Sequence, residues 1–145
     1  MLRIRNVSGI LLLSLLLPFT SPSGEVSTPE KRQAVEEVRQ LIEGILRGEH
    51  LDQAVSHVAA DAYVVDGREF RSLWGVLRGE FPDVHLVEGV SATLTFQSLS
   101  VMDNLDAASM VIATRHPQLG ERVHSVMLFR EGREGWQIMS WHIGK

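Results

Sequence analysis

The residues of this chain best suited to chemistry near neutral pH are its 6 histidines, because imidazole titrates there without help from its surroundings. Three of them, His116, His124 and His142, fall in the C-terminal third. The Gly-bearing turn Glu131-Gly-Arg-Glu-Gly135 sets residues 136–145 against the equally apolar residues 123–130. If that turn is centred on Arg133, Arg130 pairs with Trp136 and His124 lies directly opposite His142, with both rings on one face. If the preceding turn is centred on Gly120, His116 joins them from the neighbouring strand. Such a trio suits an acid–base cluster or a metal site, although a slip of one residue turns a ring to the other face. No His-Glu-x-x-His or comparable spacing is present, so no metal ligands are assigned. His50 and His57 fall on exposed helix ends, and His85 in a connecting segment. Tyr63, the one tyrosine, offers either a hydroxyl for a polar ligand group or a half-buried strand aromatic. Trp74, Trp136 and Trp141 fit a core or a dimer interface, and Trp141 has the opposite strand parity to His142.

The elements that must position these groups are legible from periodicity. Thr28 can cap a helix with Pro29 at its first position and Glu30 at its positive end. Val35, Val38, Leu41, Ile42, Ile45 and Leu46 then recur at helical spacing until Gly48. A short second helix carries Leu51, Ala54, Val55 and Val58 on one side. An extended piece over residues 62–66 is broken by Gly67. Phe70, Leu73, Trp74, Leu77 and Phe81 predict a third amphipathic helix, ended by Pro82. Beyond Pro82 the period becomes two: Val90, Ala92, Leu94 and Phe96 alternate with polar residues, as in a strand with one polar face. Strands over residues 107–115, 122–130 and 136–143 follow. The last two are nearly continuous apolar runs, which predicts mid-sheet positions covered on both faces. Three helices before an antiparallel meander predict an α+β domain with the helices on one face of the sheet.

The chain's 145 residues hold one domain, preceded by what reads as a leader. Arg3 and Arg5 lie ahead of a mostly apolar run from Val7 to Phe19, and the small, turn-prone Thr20-Ser-Pro-Ser-Gly24 follows. That order predicts a secretory signal over residues 1–23, cleaved after Ser23, and a domain over residues 24–145. An uncleaved anchor is the other reading; in both, the domain is exported (periplasmic or secreted), and a membrane is involved only if the signal stays. With 18 acidic against 14 basic residues, a formal net charge of −4 and no basic stripe, nucleic acid and anionic lipid are not expected partners. The absence of cysteine excludes disulfides, a thiol nucleophile, iron–sulfur clusters and a lipid-modified cysteine. Neither a Gly-rich phosphate loop nor a Gly-x-Ser-x-Gly elbow occurs.

Two stretches resemble the nuclear transport factor 2-like superfamily, the cone-shaped α+β fold of ketosteroid isomerase, SnoaL-like polyketide cyclases and scytalone dehydratase. Gly48-Glu-His-Leu-Asp-Gln-Ala-Val-Ser-His-Val-Ala-Ala-Asp-Ala-Tyr-Val-Val-Asp66 is similar to the family's short helix, Ala-Asp-Asp-Ala and first strand. Gly135-Trp-Gln-Ile-Met-Ser-Trp-His142 resembles the "Gly-x-Trp-x-Ile … His" close of SnoaL-like members. The resemblance implies a curved antiparallel sheet wrapped on the helices, a deep apolar pocket and pairing through the sheet's outer surface. It also implies a role for Asp66, which falls where ketosteroid isomerases have their carboxylate general base. Such a base needs an apolar setting, which Val64, Val65 and Trp74 can supply. The isomerases' oxyanion tyrosine and protonated acid fall near Leu41 and Val126, which donate no hydrogen bond, so steroid isomerisation is not expected. Asp66 before Gly67 also fits a plain turn residue.

Two functions therefore compete. One is a pocket domain for a small, largely apolar molecule, with cofactor-free acid–base chemistry on Asp66 with His142 or His124 and with Tyr63, Trp74 and His116 touching the ligand. The other is a non-catalytic dimeric ligand-binding or interaction module of the same fold. A homodimer is expected in either case.

Overall fold

A computed structural model describes residues 28–131 and 135–145. The expected signal over residues 1–23 and the centre of the terminal turn lie outside the described residues. Helix α1 spans Pro29–Arg47. The Thr28 hydroxyl accepts from the Lys31 amide at 3.1 Å, satisfying one of the amides that a helix start leaves without a partner. Its buried stripe is Ala34, Val38, Ile42, Ile45 and Leu46. It stops at Gly48, whose φ of 80° lies in the left-handed region that glycine enters at no steric cost. Helix α2 (Leu51–Ala54) runs into a 3₁₀ turn (Val55–His57) and then strand β1 (Val58–Asp66). Among the described residues no helix is long and apolar enough to cross a membrane.

The expected third helix is only half helix. Gly67, at φ 62°, turns the chain back on β1 as strand β2 (Glu69–Ser72), where Phe70 pairs with Val65 and is 63% exposed. Helix α3 (Leu73–Leu77) starts only after Ser72, whose hydroxyl accepts from the Gly75 amide at 3.3 Å. The apolar spacing of Phe70 with Leu73 and Trp74 imitates a helix face, but the Gly67 turn commits Phe70 to the sheet.

Strands β3 (Thr93–Val101), β4 (Ala107–His116), β5 (Gly120–Phe129) and β6 (Gln137–Gly144) form the meander, and the sheet order is β2-β1-β6-β5-β4-β3. The sheet is mixed rather than wholly antiparallel, because β1 pairs parallel with β6. Parallel neighbours need a long crossover, and α3 with β3, β4 and β5 supplies it. As expected, β6 is a central strand. One face of the sheet packs on the helices: Val64, Met110, Ile112, Val126, Leu128, Ile138 and Trp141 join the α1 stripe in one core. At about 25 cal/mol per Å² of apolar surface removed from water, such side chains supply the main driving force for folding.

Two registers depart from expectation and decide where the histidines point. The terminal hairpin starts as predicted, since Phe129 opposite Gln137 continues the Arg130–Trp136 pairing. Leu128 then pairs with Ile138 but Met127 with Ser140, so Met139 is an extra residue in β6. Past this bulge His124 faces Ile143, and His142 faces Ser125. The two rings therefore lie on opposite faces. The β4–β5 turn is tighter than expected as well. His116 pairs with Gly120, and Ile112, not His116, lies across from His124.

Candidate functional site

The segment between α3 and β3 carries the residue that organises the site. Val84, Leu86 and Glu88 alternate inward, all less than 10% exposed. The Glu88 and Gly89 amides both donate to the Leu46 carbonyl, at 2.7 and 2.8 Å, which ties this extended segment to the last turn of α1. The Glu88 side chain then enters the sheet's inner face beside Thr114 of β4 and Arg122 and His124 of β5. Its Oε2 accepts from Thr114 Oγ1 at 2.8 Å, Arg122 Nε at 3.1 Å, Arg122 Nη2 at 2.7 Å and His124 Nε2 at 2.7 Å. On its other side His124 Nδ1 accepts the indole N–H of Trp141 at 2.8 Å.

These bonds fix the protonation states. Nδ1 receives a proton from Trp141, so the imidazole proton is on Nε2 and donates to Glu88. Adding a second proton would set two N–H groups against each other. Burial in the core, helped by the Arg122 charge, holds His124 below its ordinary range despite the opposing pull of Glu88 and, more weakly, Asp66. Burial alone would raise Glu88. The bonds from His124, Thr114 and Arg122 outweigh it and keep the carboxylate ionised. A neutral histidine, an anionic glutamate and a cationic arginine form one buried, net-neutral group. Among the described residues only Glu88 Oε1 and Trp136 Nε1 are buried polar side-chain atoms without a partner.

Arg122 joins this network to a cleft of about 320 Å³ lined by Asp66, His85, Leu119, Arg122, Ile143 and Lys145. That volume is at the lower end for small-molecule pockets. Ile143 and Leu119 supply apolar surface, and Asp66 and Arg122 supply opposite charges. Arg122 gives Nε and Nη2 to Glu88, so a guanidinium with five N–H groups keeps donors for the cleft.

Of the residues singled out in the sequence, only Asp66 lines this cleft. His124 is near enough to feel the Asp66 charge but is wholly buried behind Glu88 and Trp141. His142 is on the outer face, edge-on to Tyr63 with centroids 5.9 Å apart, and Tyr63 stacks on Phe70 at 4.8 Å. His116 closes its own turn, its Nδ1 accepting from the amides of Gln118 and Leu119 at 2.9 and 3.0 Å. Trp74 donates to the Val58 carbonyl at 3.2 Å and so pins α3 to β1. Leu41 lines a different cleft, with Gln40, His57, Arg130 and Trp136, and Val126 is in the core. The expected cluster is therefore dispersed over both faces of the sheet. Trp141 and Met110, at 0% and 1% exposure, help fill the interior. No group of three or more His, Asp or Glu among the described residues is placed to hold a metal ion.

The sequence reading singles out neither Glu88 nor Arg122, and places His85 only in a connecting segment. A signal for Glu88 exists: the two-residue alternation Val84, Leu86, Glu88 carries a carboxylate inward, and Arg122, His124, Val126, Leu128 does the same for a guanidinium. Two inward charges of opposite sign on separate segments predict a pair, because an unpaired buried charge is too costly.

No family model matches the chain, and a search of curated proteins finds no relative. Solved structures do resemble it. A ketosteroid isomerase-like protein from Erwinia carotovora atroseptica superposes with a TM-score of 0.58 at 13% identity, over 80% of this chain and 96% of that one. A putative ketosteroid isomerase from Shewanella frigidimarina gives 0.58 at 15% identity, over 77% and 94%. A nuclear transport factor 2-like protein of unknown function from Methylobacillus flagellatus gives 0.59 at 7% identity, over 80% and 92%. These likenesses, with the helices packed on one face of a sheet ordered β2-β1-β6-β5-β4-β3, show that the chain has the α+β cone fold of those nuclear transport factor 2-like and ketosteroid isomerase-like structures.

Proposed function

We propose that this domain is a non-catalytic small-molecule-binding module whose site is the cleft over Arg122. The observation that carries the reading is that Asp66 shares a cleft with Arg122 and His85, while His124 is sealed in the core and His142 is on the far face. The two imidazoles expected to act with Asp66 do not reach this cleft, which supports binding better than turnover. Ile143 and Leu119 favour a largely apolar body. Amide chemical-shift mapping with benzyl alcohol tests the reading. Perturbations should cluster at residues 66–67, 85, 119–122 and 143–145; a cluster on the outer face, or none, overturns it.

A second reading, cofactor-free acid–base chemistry, is favoured by the Asp66 carboxylate and the His85 imidazole lining one cleft. Its test is deuterium exchange at the α-carbon of cyclohexanone in D₂O. Enzyme-dependent exchange that Asp66→Asn abolishes supports it, and exchange at the buffer rate rejects it.

Export and a homodimer belong to the same proposal. Arg3, Arg5 and the apolar run to Phe19 support export, which N-terminal sequencing of the protein recovered from the exported fraction tests; an intact Met1 in the cytoplasm is the contrary result. Phe70 and Met127, 63% and 58% exposed, with Tyr63 and His142 beside them, support pairing through the outer face. Sedimentation equilibrium should give twice the protomer mass, and Met127→Glu should return it to one.

A further inference from the structure

We infer that the cleft selects an uncharged ligand with an amide-like group, whose oxygen accepts from Arg122 and whose N–H donates to Asp66. This rests on the proposal that the cleft is a binding site, and it adds the class of molecule. Three observations support it. First, Arg122 is held rather than free. Its side chain is 7% exposed and Glu88 grips Nε and Nη2, so the remaining donors are fixed in direction and ready for an oxygen acceptor. Second, the Asp66 carboxylate lines the same cleft and has no hydrogen-bond partner among the described residues; it accepts a donor and offers none. Third, the cleft carries both signs of charge. Asp66 shares the lining with Arg122 and Lys145, and Glu88 behind them already neutralises Arg122, so an ion of either sign meets a like charge. An anion would meet Asp66 and a cation would meet Arg122. A planar group with acceptor and donor side by side satisfies both, while Ile143 and Leu119 cover an apolar remainder.

The isosteric planar series benzoate, benzamide and benzamidine tests this, because the three share a shape and differ in charge. In chemical-shift titrations of the full domain, benzamide should bind at least about tenfold more tightly than either ion, as expected when one charge-assisted hydrogen bond is lost or opposed. Asp66→Asn, at a residue that lines the cleft, should leave the fold unchanged and bring benzoate up to benzamide. Arg122→Lys keeps a cation for Glu88 but loses the fork, and should weaken benzamide while amide dispersion elsewhere is unchanged. A preference for benzoate or benzamidine, or equal affinity for all three, overturns the inference even where benzyl alcohol maps to the cleft. No response to the series or to benzyl alcohol overturns the inference and the cleft reading together.

Discussion

His124 and His142 are on adjacent strands, and nothing about the two residues as letters separates them. One is wholly buried between an indole donor and a carboxylate acceptor. The other is exposed, edge-on to Tyr63. The inner histidine has its tautomer, charge and rotamer fixed by neighbours. The outer one has a ring contact and an exposed face. The difference comes from one inserted residue at Met139, which shows that chemistry on a sheet is assigned by register before it is assigned by residue type.

The most severe way to break the inner arrangement is to remove its anion. Glu88→Ala should cost about 3–5 kcal/mol in urea unfolding, because Arg122 is left as a buried charge without a counter-ion. Glu88→Met with Arg122→Met should cost much less than Glu88→Ala, since the buried charge then disappears with its partner. Equal losses would mean that solvent reaches Arg122 freely. Trp141→Phe comes next, at about 1–3 kcal/mol for the lost donor to His124 Nδ1. It should also raise the imidazole pKa, seen as a downfield movement of the His124 ring protons that begins at higher pH than in the parent.

Acid separates the two histidines by a smaller effect. The folded chain holds His124 below its ordinary 6.5 and Glu88 below its ordinary 4.5. In both cases the unfolded chain takes up protons that the folded chain refuses, so stability falls as pH falls. Unfolding free energy should begin to drop as pH descends through 6.5 and drop again below 4.5. His124→Gln keeps a donor for Glu88 and should abolish the first drop while retaining the second. The same substitution at His142 should leave both drops in place. Smallest of all, His142→Ala should change stability by less than about 0.5 kcal/mol, as for an exposed side chain outside any network. A larger loss would give the outer face a structural role that its exposure does not suggest.

Much of this architecture is legible in the sequence. Helix α1 with its cap and its stop at Gly48, and the strands of the meander, follow from periodicity, because each buries one face and must repeat accordingly; the central position of β6 follows instead from its nearly continuous apolar run. The site was less legible, for identifiable reasons. Asp66 is singled out only through the family resemblance, which puts a carboxylate at that strand end, and it lines the cleft. Glu88 is hard to single out because residues 83–89 form no regular element, although the sequence does carry its alternation with Val84 and Leu86. The His124–His142 pairing failed because a bulge leaves no mark on an alternating apolar run: Ile138, Met139 and Trp141 are all apolar, and either parity fits them. Phe70 was assigned to a helix because Leu73 and Trp74 follow at helical spacing, and only the Gly67 turn distinguishes the alternatives.

The Leu46 carbonyl holds the amides of residues 88 and 89, so the end of the long helix and the buried carboxylate are fastened at one point. Apolar contact is non-directional, and an α-helix displaced by one turn moves by about 5.4 Å. Such a displacement here would carry the Glu88 oxygen away from donors on two strands at once. The layers are thus keyed: greasy contact holds helix and sheet together, but a single ion dictates how far along the sheet the helix must stop.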